Sequence, residues 1–288
     1  MKRKSVIFQI DAFTEIPFKG NPAGVTFASN LTDEEMQLIA REMNLSETAF
    51  IGTSENADYK LRWFTPTHEV PLCGHATIAS LHFLNELDKI QKRNKITFET
   101  LSGVLNCPVT SDEYSMQIPI LSMEEFDGCN EEIIESLGLE RTAVDDKIPF
   151  ILLENDYLYI YADSLKALKE TAPNFSLVKI LGEKYGFKAI CLFTLETFDT
   201  ENFAHSRFFT PYYGIDEDPV TGSANGPLML VLEKLNFIKE PHKTVTKIFE
   251  QGDIINRRGR VKVTHYPETN ELYIGGKAVT IIKGELFL

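Results

Sequence analysis

Glu47 stands alone as a carboxylate among small and apolar neighbours in Leu45-Ser46-Glu47-Thr48-Ala49-Phe50. A carboxyl partly withdrawn from water is expected to titrate upward, toward the range where one group both takes and returns a proton. Two more polar groups directly follow glycines: His75 after Gly74, and Ser223 after Gly222, with Asp218 just ahead of the second. If each glycine opens a helix, the first backbone N–H groups lack intrahelical partners and can hold a carboxylate or phosphate. The glycines let a ligand approach the backbone, while His75 and Ser223 add a side-chain donor or proton carrier beside it.

These two helix starts belong to a phrase written twice. Arg62-Trp63-Phe64-Thr65-Pro66 leads to Glu69, Pro71, Cys73, Gly74, His75 and Ala76, and Arg207-Phe208-Phe209-Thr210-Pro211 leads to Glu217, Pro219, Thr221, Gly222, Ser223 and Ala224. Thr65 and Thr210 lie 145 residues apart, Pro71 and Pro219 lie 148 apart. That period is too long for a solenoid and fits two similar domains with equivalent loops. A glycine followed by serine is, in isolation, a turn and a helix cap; its recurrence favours the ligand-holding reading.

The elements that must position these groups follow from the pattern. Val6, Phe8 and Ile10 alternate as a strand ending near Asp11, and Phe18 to Pro22 is rich in turn formers. Thr32 and Glu35 form a capping box, and Met36, Ile39, Ala40 and Met43 give one helical face up to Asn44. β-type runs recur at Lys60–Thr65, Ile96–Thr100, Met116–Pro119, Tyr157–Tyr161, Ala189–Leu195, His205–Thr210, Val261–Tyr266 and Leu272–Ile282. Ala76–Leu87 and Ala224–Leu235 carry apolar residues on most faces, so each reads as a buried central helix wrapped by strands. The expected class is α+β: two pseudo-symmetric domains, each a curled, mostly antiparallel sheet around a central helix. The boundary is placed near residue 119, giving residues 1–118 plus 279–288 as one domain and 119–278 as the other.

Composition excludes several functions. The chain has 288 residues, 43% hydrophobic and 25% charged, with a formal net charge of −13, which opposes nucleic acid and anionic lipid. No stretch approaches the roughly 20 consecutive apolar residues of a membrane span. Cys73, Cys107, Cys129 and Cys191 are scattered without a CxxC pair, and the apolar run before Asp11 is too short for a secretory signal, so a reducing cytoplasm is expected. His68, Cys73 and His75 are metal-binding types, but their spacing matches no zinc finger or HExxH helix. Gly275-Gly276 lacks GxGxxG or a P-loop lysine, so neither metal nor cofactor is expected.

The strings DAFTEIPFKGNPAGV, LSETAFI, LRWFTP, PLCGHATIAS and DEDPVTGSANGPL, in this order and spacing, resemble the phenazine-biosynthesis PhzF-like family of isomerases along the whole chain. The resemblance implies the diaminopimelate-epimerase fold. It implies Glu47 as catalytic acid/base, His75 and Asp218 as its polar partners, and Ser223 as a substrate contact, with Asn21, Gly74 and Gly222 in the binding loops. In the founding enzyme the glutamate moves a proton between carbons of a dihydro-hydroxyanthranilate ring. Related epimerases instead use two cysteines, one at each helix start. Here the second position holds Thr221, whose hydroxyl is too weak an acid for that exchange, and Cys73 is expected to serve packing.

The leading expectation is therefore a cofactor-independent isomerase acting on a small carboxylated substrate through Glu47, in a chain that forms a homodimer. An epimerase or racemase using Cys73, and a binding protein of the same fold without turnover, are the alternatives.

Overall fold

The computed structural model describes residues 3–90, 93–239 and 243–288. The chain separates into two compact units, Met1–Ile118 with Tyr273–Leu288, and Pro119–Leu272.

In the first unit the chain runs β1 (Lys4–Ala12), β2 (Asn21–Phe27), α1 (Asp33–Met43), β3 (Glu47–Gly52), β4 (Tyr59–Phe64), β5 (Glu69–Val70), α2 (Gly74–Glu86), β6 (Lys95–Thr100), β7 (Gly103–Pro108) and β8 (Tyr114–Ile118). The second unit holds β9 (Met123–Glu125), α3 (Asn130–Ser136), β10 (Ile151–Leu153), β11 (Tyr157–Tyr161), α4 (Leu165–Glu170), α5 (Phe175–Tyr185), β12 (Ala189–Thr194), β13 (Ala204–Thr210), β14 (Ile215–Asp218), α6 (Gly222–Lys234), β15 (Val245–Gln251) and β16 (Gly259–Tyr266). Then β17 (Glu271–Gly276) leads to β18 (Ala278–Phe287), which returns to pair with β1. The run Leu272–Ile282, expected as one strand, is thus two, interrupted at Lys277, whose carbonyl accepts from Thr14 N–H.

The first sheet has the order β18-β1-β2-β3-β4-β6-β7, with β5 on β4. Its pairs are antiparallel except β2 with β3 and β4 with β6. Parallel neighbours need a crossover, and here α1 and α2 supply them. In the second unit the order β16-β15-β13-β12-β11-β10-β9, with β14 on β13, repeats the device. There β11 lies parallel to β12, and β13 parallel to β15.

α2 is buried over ten of its thirteen residues and packs on β1, β2, β3, β8 and β18. α6 is buried to the same extent and packs on β11 and β16. Apolar on every side, each forms the centre of its own unit, as the composition of the two runs requires. Phe8 meets Phe83 of α2 edge to face, and Phe50 meets Phe64 edge to face in a separate cluster with Met36, Ile39 and Ala40 of α1. Among the described residues no helix is long and apolar enough to cross a membrane.

Strand register turns the repeated phrase into a residue-by-residue equivalence. Phe64 pairs with Thr48 and Glu69, and Phe209 pairs with Ile190 and Glu217. Glu47 in the first unit therefore corresponds to Ala189 in the second, and Val70 to Asp218.

Candidate active site

Glu47 opens β3, immediately after the α1 crossover ends at Asn44, which caps the helix with φ 50°. Parallel pairing sets Glu47 opposite Ala23, so the start of β3 lies beside the start of β2, where Asn21 sits. His75 is the second residue of α2, and Cys73 is its N-cap, extended at φ −147° with no side-chain cap hydrogen bond. Crossover, strand ends and helix start together gather Glu47, Asn21, Cys73 and His75.

His75 is the hub. Its Nε2 lies 3.2 Å from Glu47 Oε2 and 3.3 Å from Ser46 Oγ, and its Nδ1 lies 3.3 Å from Asn21 Nδ2 and 3.6 Å from Cys73 Sγ. The Glu47 contact is close but lacks hydrogen-bond alignment, leaving Oε2 buried without a hydrogen-bond partner. Side-chain exposure is 17% for Glu47 and 8% for His75, so both are largely out of water.

Burial pushes the Glu47 carboxyl up, but His75, Ser46 and Cys73 outweigh it and hold the group below its ordinary range. The expected upward shift is thereby corrected: desolvation acts as anticipated and is overcome by the histidine. Burial likewise pushes His75 down, while Cys73 and Glu47 pull it well above its ordinary value. Cys73 is raised by burial and by the Glu47 charge, so it stays a thiol at neutral pH and Glu47 is the anion facing the ring. Glu47 and His75 thus each favour the charged form of the other.

Glu47, Cys73 and His75 bring one donor atom each within 4.8 Å of the others, types that suit a transition metal. The glutamate lies beside Nε2 and the thiol beside Nδ1 of the ring. His68, the third residue of the metal pattern considered from sequence, instead bonds Thr65 and Thr67 on an exposed loop.

In the second unit Asp218 ends β14 and is buried, its Oδ2 accepting from the Thr221 hydroxyl. Gly222 opens α6, and Ser223 follows it half-buried. The neighbouring acids separate by strand alternation, Glu217 being held by Arg207 at 2.8 Å while Asp216 is exposed. Each unit thus collects its own share of the sequence candidates: Asn21, Glu47, Gly74 and His75 in the first, Asp218, Gly222 and Ser223 in the second.

Comparison with known proteins places this geometry. The model of the phenazine biosynthesis-like protein family, PhzC-PhzF, matches residues 10–284. The chain belongs to this family. An uncharacterised isomerase of Clostridium acetobutylicum is 36% identical, the match covering 100% of both chains. A phenazine biosynthesis-like domain-containing protein of Mus musculus is 34% identical over 98% of this chain and 99% of its own. The crystal structure of a PhzF-family phenazine biosynthesis protein from Bacillus anthracis superposes with a TM-score of 0.91 at 32% identity, covering 99% of this chain and 100% of that one. A hydroxyproline epimerase from Agrobacterium vitis shares the fold alone, with a TM-score of 0.64 and 11% identity over 100% of this chain and 94% of its own. The architecture is the diaminopimelate-epimerase-like fold.

Within this PhzF-family chain, sequence reasoning passed over Ser46, Asn225 and Gln251. Ser46 neighbours Glu47 and has no pattern of its own. Gln251 ends β15, a strand whose residues Lys247, Glu250 and Gln251 mask its alternation. It accepts from Thr221 N–H and Asn225 Nδ2 and donates to the Asp218 carbonyl. A buried glutamine in a strand was the available signal, and only the fold reveals the burial.

Proposed function

We propose that this PhzF-family chain is a cofactor-independent isomerase in which Glu47 moves a proton within a small carboxylated substrate, acting first as base and then as acid. The supporting observation is the buried Glu47–His75 pair. A carboxylate held out of water beside a histidine can accept a substrate proton, and the charged form of the ring, which Glu47 favours, would stabilise the anion left on the substrate. The N–H groups at the start of α2, with Asn21, would hold the substrate beside Glu47, and Asp218, Gly222 and Ser223 are proposed as further substrate contacts of the second unit.

The test is solvent-deuterium uptake in D2O, followed by proton NMR on a dihydro-hydroxyanthranilate and on trans-4-hydroxy-L-proline. Glu47→Gln is expected to lower kcat by about 10²- to 10⁴-fold, the usual contribution of a positioned acid/base. Turnover near the wild-type level would remove Glu47 from the mechanism. Cys73→Ser separates the alternative reading, an epimerase using Cys73, which the contact of Cys73 Sγ with His75 Nδ1 favours. Deuterium entry at a substrate α-carbon that disappears in Cys73→Ser but persists in Glu47→Gln would move the chemistry to the thiol. A ligand bound tightly yet never exchanged by the wild type would leave a binding protein.

A further inference from the structure

We infer that Gln251, acting through Thr221, positions Asp218 as a hydrogen-bond acceptor at the start of α6; this rests on the reading that Asp218 contacts the substrate. Two backbone groups fix the direction of the chain of bonds. Thr221 N–H can only donate, so the Gln251 atom 2.9 Å from it must be the amide oxygen. The Asp218 carbonyl can only accept, so the atom 2.8 Å from it must be the amide nitrogen. With the amide set this way, Gln251 Nε2 also donates to Thr221 Oγ1 at 3.1 Å. The one proton of that hydroxyl then points to Asp218 Oδ2. The polarity runs from glutamine to threonine to aspartate.

Two further observations separate this from ordinary packing. Threonine is a good helix N-cap because its hydroxyl can accept from the second or third N–H. At the start of α6 Thr221 is the N-cap and its side chain caps nothing, its proton going to Asp218 instead. The amide is also fully committed: Gln251 Oε1 accepts a second bond from Asn225 Nδ2 at 2.6 Å, while Asn225 Oδ1 accepts from Ser206 Oγ at 3.0 Å. In the first unit strand register puts Thr100 where Gln251 stands, and Cys73 where Thr221 stands, so the chain of bonds has no counterpart there.

The experiment compares Gln251→Leu, Thr221→Val, Thr221→Ser and the Gln251→Leu/Thr221→Val double variant. In labelled wild-type protein the Thr221 hydroxyl proton should be visible by NMR and slow to exchange, and Gln251→Leu should abolish that protection. With the same two probes, Gln251→Leu and Thr221→Val should each lower kcat/KM by about 10- to 100-fold, the scale of a slightly misplaced group. The double variant should lose no more than either single one, and Thr221→Ser should stay close to wild type. A fast-exchanging hydroxyl in the wild type, or Thr221→Val turning over at the wild-type rate, would overturn the inference. The hydroxyl measurement needs no substrate, so its result stands apart from any failure of the Glu47 reading.

Discussion

The two copies of the repeated phrase agree in what supports them and differ in what can titrate. In both, the arginine of the phrase forms a two-pronged pair with a glutamate on the short strand beside it: Arg62 with Glu69 at 2.7 and 2.8 Å, Arg207 with Glu217 at 2.9 and 2.8 Å. In both, the guanidinium also lies over the phenylalanine two residues on, at 5.1 and 4.8 Å from the ring centre. At the helix starts the agreement ends. The first copy has Glu47, Cys73 and His75 where the second has Ala189, Thr221 and Ser223, and the second has Asp218 where the first has Val70. A fork that joins two strands is needed wherever the strands are, whereas proton chemistry on one substrate needs only one base. The duplicated scaffold has kept the fork twice, while its titratable groups differ between the copies.

The largest difference between the copies should appear on removing the forks. Arg207 has 8% side-chain exposure against 18% for Arg62, and its Nη1 also donates to the carbonyls of Leu168 and Thr171. Arg207→Leu leaves Glu217 and two carbonyls uncompensated and should cost about 3–5 kcal/mol, the range for breaking a buried pair. Arg62→Leu should cost about 1–2 kcal/mol, since water can reach its partners more easily. Urea unfolding of both variants measures this, and equal costs would show the forks to be equivalent in energy as well as in shape.

The next effect belongs to the first copy alone. Glu47 lies below its ordinary value, so the stability it draws from His75 is complete above that value and is lost as the pH falls through the lowered one. His75 lies above its ordinary value, so its share is complete below 6.5 and is lost as the pH rises through the raised one. His75→Asn should therefore destabilise most between about pH 4.5 and 6.5, by about 1–3 kcal/mol for a buried carboxylate left without its opposite charge, and less on either side. A loss independent of pH would mean that the histidine acts by packing.

The smallest effect concerns the crossovers that deliver the parallel strands. α1 starts in a reciprocal box, Thr32 accepting from Glu35 N–H while Glu35 accepts from Thr32 N–H. α5 has only the single cap of Asn174 on Leu177 N–H. Thr32→Ala should cost about 1–2 kcal/mol and Asn174→Ala about 0.5–1 kcal/mol. Thermal unfolding that ranked them in reverse would place the cost in packing rather than in the caps.

The fold was legible in the sequence because its marks are local. A Pro, a Gly and paired aromatics at nearly constant offset identify two similar halves, and two runs apolar on most faces identify their central helices. The candidate site was less legible. Glu47 could be singled out as a lone carboxylate, but the direction of its titration depends on His75, 28 residues away, which reaches it only because β3 and α2 begin at the same place. Gln251 is harder still: its partners are the N-cap and preceding strand of a helix some 30 residues earlier, and no periodicity links them.

The pairing of β1 with β18 has a consequence during synthesis. β1 leaves the ribosome well before β18, with all of β2 to β17 made in between. At about 5–20 residues per second, Phe8 and Ile10 spend on the order of tens of seconds beside an unpaired strand edge before β18 can cover it. A nascent chain stalled before residue 278 should therefore expose the β18 side of β1 and recruit chaperones.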